Sequence, residues 1–321
     1  MSRKYDDGGV AGNIFNIAHR DSKTSHKALV DALEAYFTAG HDTSGDKSSD
    51  NHIASVTVKM AALQRQYGFK SRDIAATYLI LVHASLANMT PTLFWCVVHV
   101  FSRPSLLAQL RDELRAALII EGKTALVDTD WIQSSCPLLV SMLNETQRLV
   151  TIGTLHRQVL EDTTVSANYN KNQEQSYRLK KGTILLISQA SVLRDPAIWG
   201  PNASEFDATR FLETQSRTTK KSPGEKLRKA AFYPFGGGKD RCPGRHFATT
   251  ELLGNMAVLF SGYDITAIGG GPISQPDFNA CKLTTDTARP HADADLRVRV
   301  ERRKGWEEVL WKVKNSSAQS I

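Results

Sequence analysis

Between Asp73 and Arg103 the chain runs for 29 residues, Ile74 to Ser102, without an Asp, Glu, Lys or Arg. At about 1.5 Å per residue, a helix of that length could cross a bilayer. The run also holds Thr77, His83, Ser85, Asn88, Thr90, Pro91, Thr92 and His99, which a lipid-facing span rarely tolerates. It therefore predicts a long helix buried in a protein core. The helix should be distorted around 87–92, where Pro91 lacks a backbone donor. A distortion there suits a ligand, although packing alone also explains it.

Apolar residues recur at helical spacing over 13–39 (Ile14, Ile17, Leu29, Leu33, Tyr36, Phe37). Further helices are expected over 52–67, from Pro104 through 105–120 with Leu106, Leu107, Leu110, Leu114 and Leu118 on one face, and over 137–150. Another should follow Cys242, burying Phe247, Leu252, Met256, Leu259 and Phe260. Residues 40–51 are polar and turn-rich. Short strands are expected at 158–160 and 177–188, the latter as a hairpin turning at 180–183. The fold class is mainly α with a minor β-sheet.

At 41% hydrophobic and 23% charged, the chain can build a sizeable core. The four cysteines (Cys96, Cys136, Cys242, Cys281) are scattered and form no CxxC pair, which argues against a disulfide framework or a structural zinc site and fits a reducing compartment. No apolar stretch near Met1 suggests a secretory signal. The net charge of +7 is uneven. Residues 217–230 carry Arg217, Lys220, Lys221, Lys226, Arg228 and Lys229 against Glu225, and a second basic cluster covers 297–304. Neither interleaves stacking aromatics, so no nucleic-acid partner is expected. A solvated loop is the bland reading, and a docking patch for an acidic partner the sharper one.

HExxH, GxSxG and GxGxxG are absent, and Gly122-Lys123-Thr124 lacks the upstream glycine of a phosphate loop because Ala117 stands there. One constellation carries chemistry: Phe235-Gly236-Gly237-Gly238-Lys239-Asp240-Arg241-Cys242-Pro243-Gly244. Its glycines permit tight turns, and Cys242 precedes a helix whose amides, with Arg241, would stabilise a thiolate. Such a pattern arises by chance roughly once in a thousand sequences of this composition.

These residues resemble the cytochrome P450 family, whose haem iron takes an axial cysteine thiolate from such a loop. The resemblance implies haem as cofactor, Cys242 as its ligand, Phe235 shielding the sulfur, and Gly238 and Gly244 shaping the loop. Where the family has Arg or His for a haem propionate, two residues before the cysteine, this chain has Asp240. Asp240 is expected to point away, with Arg241 or Arg157 compensating. Glu145 and Arg148 resemble the family's ExxR pair, and Arg210 the third member of that structural triad.

The likeness runs from about Ser71 to Arg303 and implies the C-terminal haem-binding portion of the cytochrome P450 fold. Residues 1–70 then read as partial N-terminal helices and a polar linker, and 71–321 as the haem domain. In the central helix Ala87-Asn88-Met89-Thr90-Pro91 resembles the branch of sterol 7α- and 12α-hydroxylases and prostacyclin synthase. Asn88, Thr90 and Thr92 become the catalytic candidates, because Pro91 stands where a side-chain proton donor is usual. Ile152 and Leu155, after the ExxR helix, are candidate substrate-lining residues.

The resemblance implies a haem-thiolate monooxygenase acting on an apolar small molecule, such as a steroid or terpenoid of secondary metabolism, with electrons from an NADPH-cytochrome P450 reductase. The alternatives are an isomerase or dehydratase of the same family, which needs no dioxygen or reductase, and a non-catalytic haem-binding remnant. An intracellular setting is expected, cytoplasmic or peripheral to the endoplasmic reticulum membrane. Membrane contact is compatible with the sequence, which shows no anchor of its own.

Overall fold

The computed structural model describes residues 20–43, 53–170, 173–212, 222–277, 286–290 and 296–315. The chain divides into two compact units, Met1–Leu86 and Ala87–Ile321. The expected boundary at 70/71 rests on sequence resemblance, which is a different quantity from compactness.

In the first unit, α1 (Arg20–Thr38), α2 (Ser55–Gln66) and α3 (Ser71–Ala87, whose last residue belongs to the second unit) enclose a small core of Val30, Phe37, Ala61, Ile74 and Ala75. Phe37 meets Tyr78 edge to face with centroids 5.5 Å apart, and the Tyr78 hydroxyl lies 2.9 Å from that of Thr57. Buried Asp42 takes two hydrogen bonds from Arg65, at 2.5 and 3.0 Å, and this pairing lowers its pKa. Expected helical positions Ile14 and Ile17 lie outside the described residues, and Leu29 is exposed where Val30 takes the core position.

The uncharged run is not one buried helix. It is broken at Asn88 into α3 and α4 (Met89–Phe101), and the two behave differently. Pro91 supplies no N–H to the Ala87 carbonyl and its ring crowds that carbonyl. The freed oxygen accepts instead from Arg289 Nη2 at 3.2 Å. Pro91, Thr92, Trp95, Cys96 and 98–101 are buried, as the sequence predicts. In α3, however, Ile80, Val82 and Leu86 are exposed, because only Ile74, Ala75, Tyr78 and Leu79 meet the small three-helix core. By length and composition Ser71–Phe101 could span a membrane, yet only 28% of its apolar window is buried.

The second unit assembles around α4. Helix α5 (Pro104–Ala117) opens on its proline as expected and buries Leu106, Leu110 and Leu114. It stops at Ala117, three residues early, where the chain turns into hairpin β1 (Ile119–Glu121) and β2 (Thr124–Asp128). Asp128 caps α6 (Thr129–Ser135) through its carboxylate. Helix α7 (Pro137–Val150) follows with the predicted ends, its first amides taken by Glu113, whose oxygens accept from Leu138 N at 2.8 Å and Leu139 N at 2.9 Å. A carboxylate at that end is favoured by the helix dipole.

Strands β3 (Thr154–Gln158), β4 (Thr163–Asn170), β5 (Gln173–Leu179) and β6 (Ile184–Ser188) correct the expected hairpin at 177–188. The turn exists, but β5 pairs with β4 while β6 pairs with β3. The switch occurs at the turn because Thr183 O and Gly182 N bond Val159, beyond the end of β3, at 2.9 and 2.8 Å. Short helices α8 (Gln189–Leu193) and α9 (Pro196–Trp199) lead toward α10 (Pro223–Ala231), which has a Ser222/Glu225 capping box. Helix α11 (Arg245–Gly262) packs against α4, α5 and α6 through Leu252, Leu253, Met256 and Phe260. Strands β7 (Tyr263–Ala267) and β8 (Val298–Arg302) pair antiparallel, and β9 (Leu310–Lys314) pairs parallel with β2. Phe247, expected in the core, is 55% exposed because it sits on the first turn of α11, beside Cys242 in sequence and ahead of the packed part of the helix.

Candidate active site

Cys242 lies in the turn just before α11, with its side chain exposed. Its N–H donates to Phe235 O at 2.9 Å, closing the loop. The loop needs glycine at two points, Gly236 at φ +73° and Gly238 at φ +70°, where an L side chain costs roughly 1–2 kcal/mol. Gly244, the N-cap of α11, has ordinary dihedrals, and a Cβ there would lie 3.9 Å from the Cys242 sulfur. Arg245 Nη1 donates to Cys242 O at 3.1 Å.

Strand β3 supports the loop from one side. Leu155 and Arg157 are two apart and so share a strand face. A Cβ on Gly236 would lie 3.7 Å from Leu155 Cδ2, and one on Gly238 4.0 Å from Arg157 Nη2. Arg157 donates to Gly237 O at 2.6 Å and to His156 O at 2.7 Å. The resemblance implies a charge-compensating role for Arg157 toward a propionate. In the structure its guanidinium also holds the loop backbone. Arg241 and Asp240 are exposed, with Asp240 in a single 3₁₀ turn at Gly238–Asp240.

Gln189 does a similar job and gave no signal in the sequence. It is buried, its N–H donates to Gly153 O at 3.0 Å, and Nε2 donates to Tyr233 O at 2.9 Å. It thus links the segment after α7 to the entry of the cysteine loop. A Cβ on Gly153 would fall 2.8 Å from Gln189 Oε1 and 2.4 Å from Asp286 Oδ1, so glycine is required by close approach. A lone glutamine at a strand–helix junction has no spacing pattern that could reveal such a partner.

The structure brings Glu145, Arg148 and Arg210 together. Glu145 accepts from Arg148 Nε at 2.8 Å and Nη2 at 2.9 Å, and from Arg210 Nε at 2.9 Å. Glu145 and Arg148 are fully buried. Arg148 Nη1 donates to Leu193 O and Ala203 O, each at 2.6 Å, and its guanidinium stands 5.1 Å from the Trp199 ring centroid. Arg210 donates to Trp199 O at 3.0 Å and Asn202 O at 3.1 Å. One carboxylate and a set of carbonyls therefore hold two guanidiniums, locking the 193–211 segment onto α7.

The central-helix candidates differ among themselves. Asn88 marks the break, and its Oδ1 is sheltered without a hydrogen-bond partner. Thr92 is buried, and its hydroxyl donates to Asn88 O at 2.7 Å. Thr90 is exposed. Ile152 packs against the main core and donates its N–H to Asp286 O at 2.8 Å. Burial pushes the thiols of Cys96 and Cys136 up to about 12, with Glu113 adding to the effect at Cys136. Both are neutral packing residues, which leaves Cys242 as the accessible thiol among the described residues. Cys281 lies outside them.

An exposed thiol on a glycine loop, with the apolar Leu155 against that loop and exposed Phe247 on the following turn, suits a flat, largely apolar macrocycle bound through sulfur.

Comparison with known proteins agrees. The cytochrome P450 family model matches residues 13–289. A cytochrome P450 monooxygenase of Gibberella zeae is 32% identical over 309 residues, covering 95% of this chain and 57% of the relative. The cytochrome P450 monooxygenase nodJ of Hypoxylon pulicicidum is 28% identical, covering 91% of this chain and 54% of its own. The rat 25-hydroxycholesterol 7-alpha-hydroxylase is 29% identical, covering 77% and 58%. The chain belongs to the cytochrome P450 family, whose members bind haem through a cysteine thiolate. It spans somewhat over half the length of these relatives.

Proposed function

We propose that Cys242 is the axial ligand of a haem and that the chain serves as a haem-thiolate monooxygenase. The observation that carries this reading is the accessible Cys242 thiol on a loop held by Arg157 and Gln189. A bound haem would supply dioxygen activation and transfer of one oxygen atom to the substrate.

The protein's residues have distinct parts in this reading. Phe235 anchors the Cys242 N–H through its carbonyl, and Gly236 and Gly238 let the backbone approach closely. Arg157 positions the loop, and with Arg241 it offers positive charge for the haem's carboxylates. Leu155 and Ile152 contribute apolar surface on the segment after α7. On the central helix, Asn88 offers an unpartnered acceptor and Thr90 an accessible hydroxyl for moving a proton, while Thr92 stabilises the break through Asn88 O.

The substrate is proposed to be an apolar molecule of steroid or terpenoid size. The likeness to the rat 25-hydroxycholesterol 7-alpha-hydroxylase supports that class. Electrons are proposed to come from an NADPH-cytochrome P450 reductase, with Lys226, Arg228 and Lys229 of α10 as the described part of the basic stretch at 217–230. An intracellular setting within reach of that reductase belongs to the same proposal.

The reduced, carbon monoxide-treated chain should show the absorption band of a thiolate-ligated haem, and Cys242→Ala should abolish it. An unchanged band in that variant would sink the assignment. Pro91 and the internal hydrogen bond of Thr92 favour a second reading, an isomerase or dehydratase of the same family. Turnover without reductase and NADPH would select it over the monooxygenase.

A further inference from the structure

A cavity of about 630 Å³ lies between α7, α10 and the glycine loop, with Arg210, Arg228, Lys229, Arg241, Phe232 and Tyr233 among its lining residues. That volume falls in the range of small-molecule sites, roughly 300–1,000 Å³. Its charge is one-sided. Among the described residues no carboxylate lines it, and Arg228, Lys229 and Arg241 form no ion pair. Arg228 Nε is shielded from solvent and donates to nothing. Arg210 in the wall and Arg148 behind it share the carboxylate of Glu145, so the triad itself leaves one positive charge over among the described residues.

Arg228 and Lys229 stand in the last turn of α10, where the helix dipole favours cations. That dipole amounts to roughly half a charge, too little to balance three cations beside an already positive triad. A sheltered, unpartnered guanidinium N–H in a concave site is a donor awaiting an acceptor. We propose that this cavity binds a polyanion of the diphosphate type, either free or as part of a nucleotide whose planar ring lies along Phe232 and Tyr233. The proposal uses neither Cys242 nor the central helix, but it shares Arg241 and the glycine loop with the haem reading and Arg228 and Lys229 with the proposed reductase contact.

Isothermal titration of the full chain with sodium diphosphate, ADP and adenosine tests it. Diphosphate and ADP should bind one to one, adenosine should not, and raised salt should weaken both anions. Arg228→Met and Lys229→Met should each weaken binding about tenfold, the loss of one charge-assisted contact. Lys226→Met, exposed on the same helix and outside the cavity lining, should stay within twofold. Far-UV circular dichroism checks that each variant is folded, and the two cavity variants back each other up. ADP binding at least tenfold tighter than diphosphate supports a nucleotide, and equal affinity supports recognition of the diphosphate alone. The proposal is overturned if neither anion binds, if adenosine binds as well as ADP, or if Lys226→Met loses as much as the cavity variants.

Discussion

Arg157 Nη2 donates to the Gly237 carbonyl at 2.6 Å, fastening β3 to the loop that presents Cys242. The bond joins residues 80 positions apart and acts on backbone, so it constrains the loop whatever the neighbouring side chains are. Removing it leaves a partly buried carbonyl without its donor, at about 1–3 kcal/mol. Arg157→Met should therefore lower the melting temperature of the haem-free chain by a few degrees and release haem faster, on the order of tenfold. Arg157→Lys should recover part of the loss. Transfer of haem to apomyoglobin measures it, and equal release from parent and Arg157→Met would refute the positioning role.

Among the described residues Glu145 is the single counter-charge for Arg148 and Arg210, and it also accepts from Asp207 N at 3.0 Å. Glu145→Gln removes the carboxylate shared by two guanidiniums, of which that of Arg148 is fully buried. Breaking a buried pair of this type costs about 3–5 kcal/mol. Urea unfolding should show a large loss of stability, against a small change for the exposed Glu307→Gln. Similar midpoints for the two variants would contradict the structure.

His99 is buried, stacks on Phe206 at 4.0 Å, and hydrogen-bonds through neither ring nitrogen. Burial, helped by nearby Arg103, pushes its pKa down to about 3 from 6.5. The folded state thus resists a proton that the unfolded chain accepts. The resulting stability is present in full above pH 6.5 and declines as pH falls toward 3. The loss reaches about 2 kcal/mol at pH 5 and about 4–5 kcal/mol at the lower limit. His99→Phe should flatten the stability profile between pH 4 and 6.5. A profile as steep as the parent's would show that other groups set it.

Cys96 and Cys136, with pKa values near 12 and full burial, should resist maleimide in the native chain, whereas exposed Cys242 should react. Peptide mapping by mass spectrometry in a Cys281→Ser background reads the three sites separately. Rapid native labelling at Cys96 would overturn the assignment of that thiol to the core.

The glycine–cysteine loop, Glu145–Arg148 and the ends of α7 were legible in the sequence because each depends on local chemistry: backbone freedom, i,i+3 spacing, and Pro137 at a helix start. The uncharged run at 74–102 misled for a related reason. Its apolarity is local, but its burial depends on what packs against it, and α3 meets only a small three-helix core. The strand exchange around 180–183 was hidden because the turn is local and the partners are not.

The sequence alone determined a helical chain of the cytochrome P450 family with Cys242 as its chemically distinctive thiol. Only the tertiary structure decided that Cys242 is accessible, that Arg157 and Gln189 hold the loop, that Pro91 hands the Ala87 carbonyl to Arg289, and that three cations without an ion pair among the described residues line one cavity. These are contacts between side chains and backbone groups far apart in the chain. A backbone carbonyl is the same acceptor in every residue, so no residue type announces which donor will reach it.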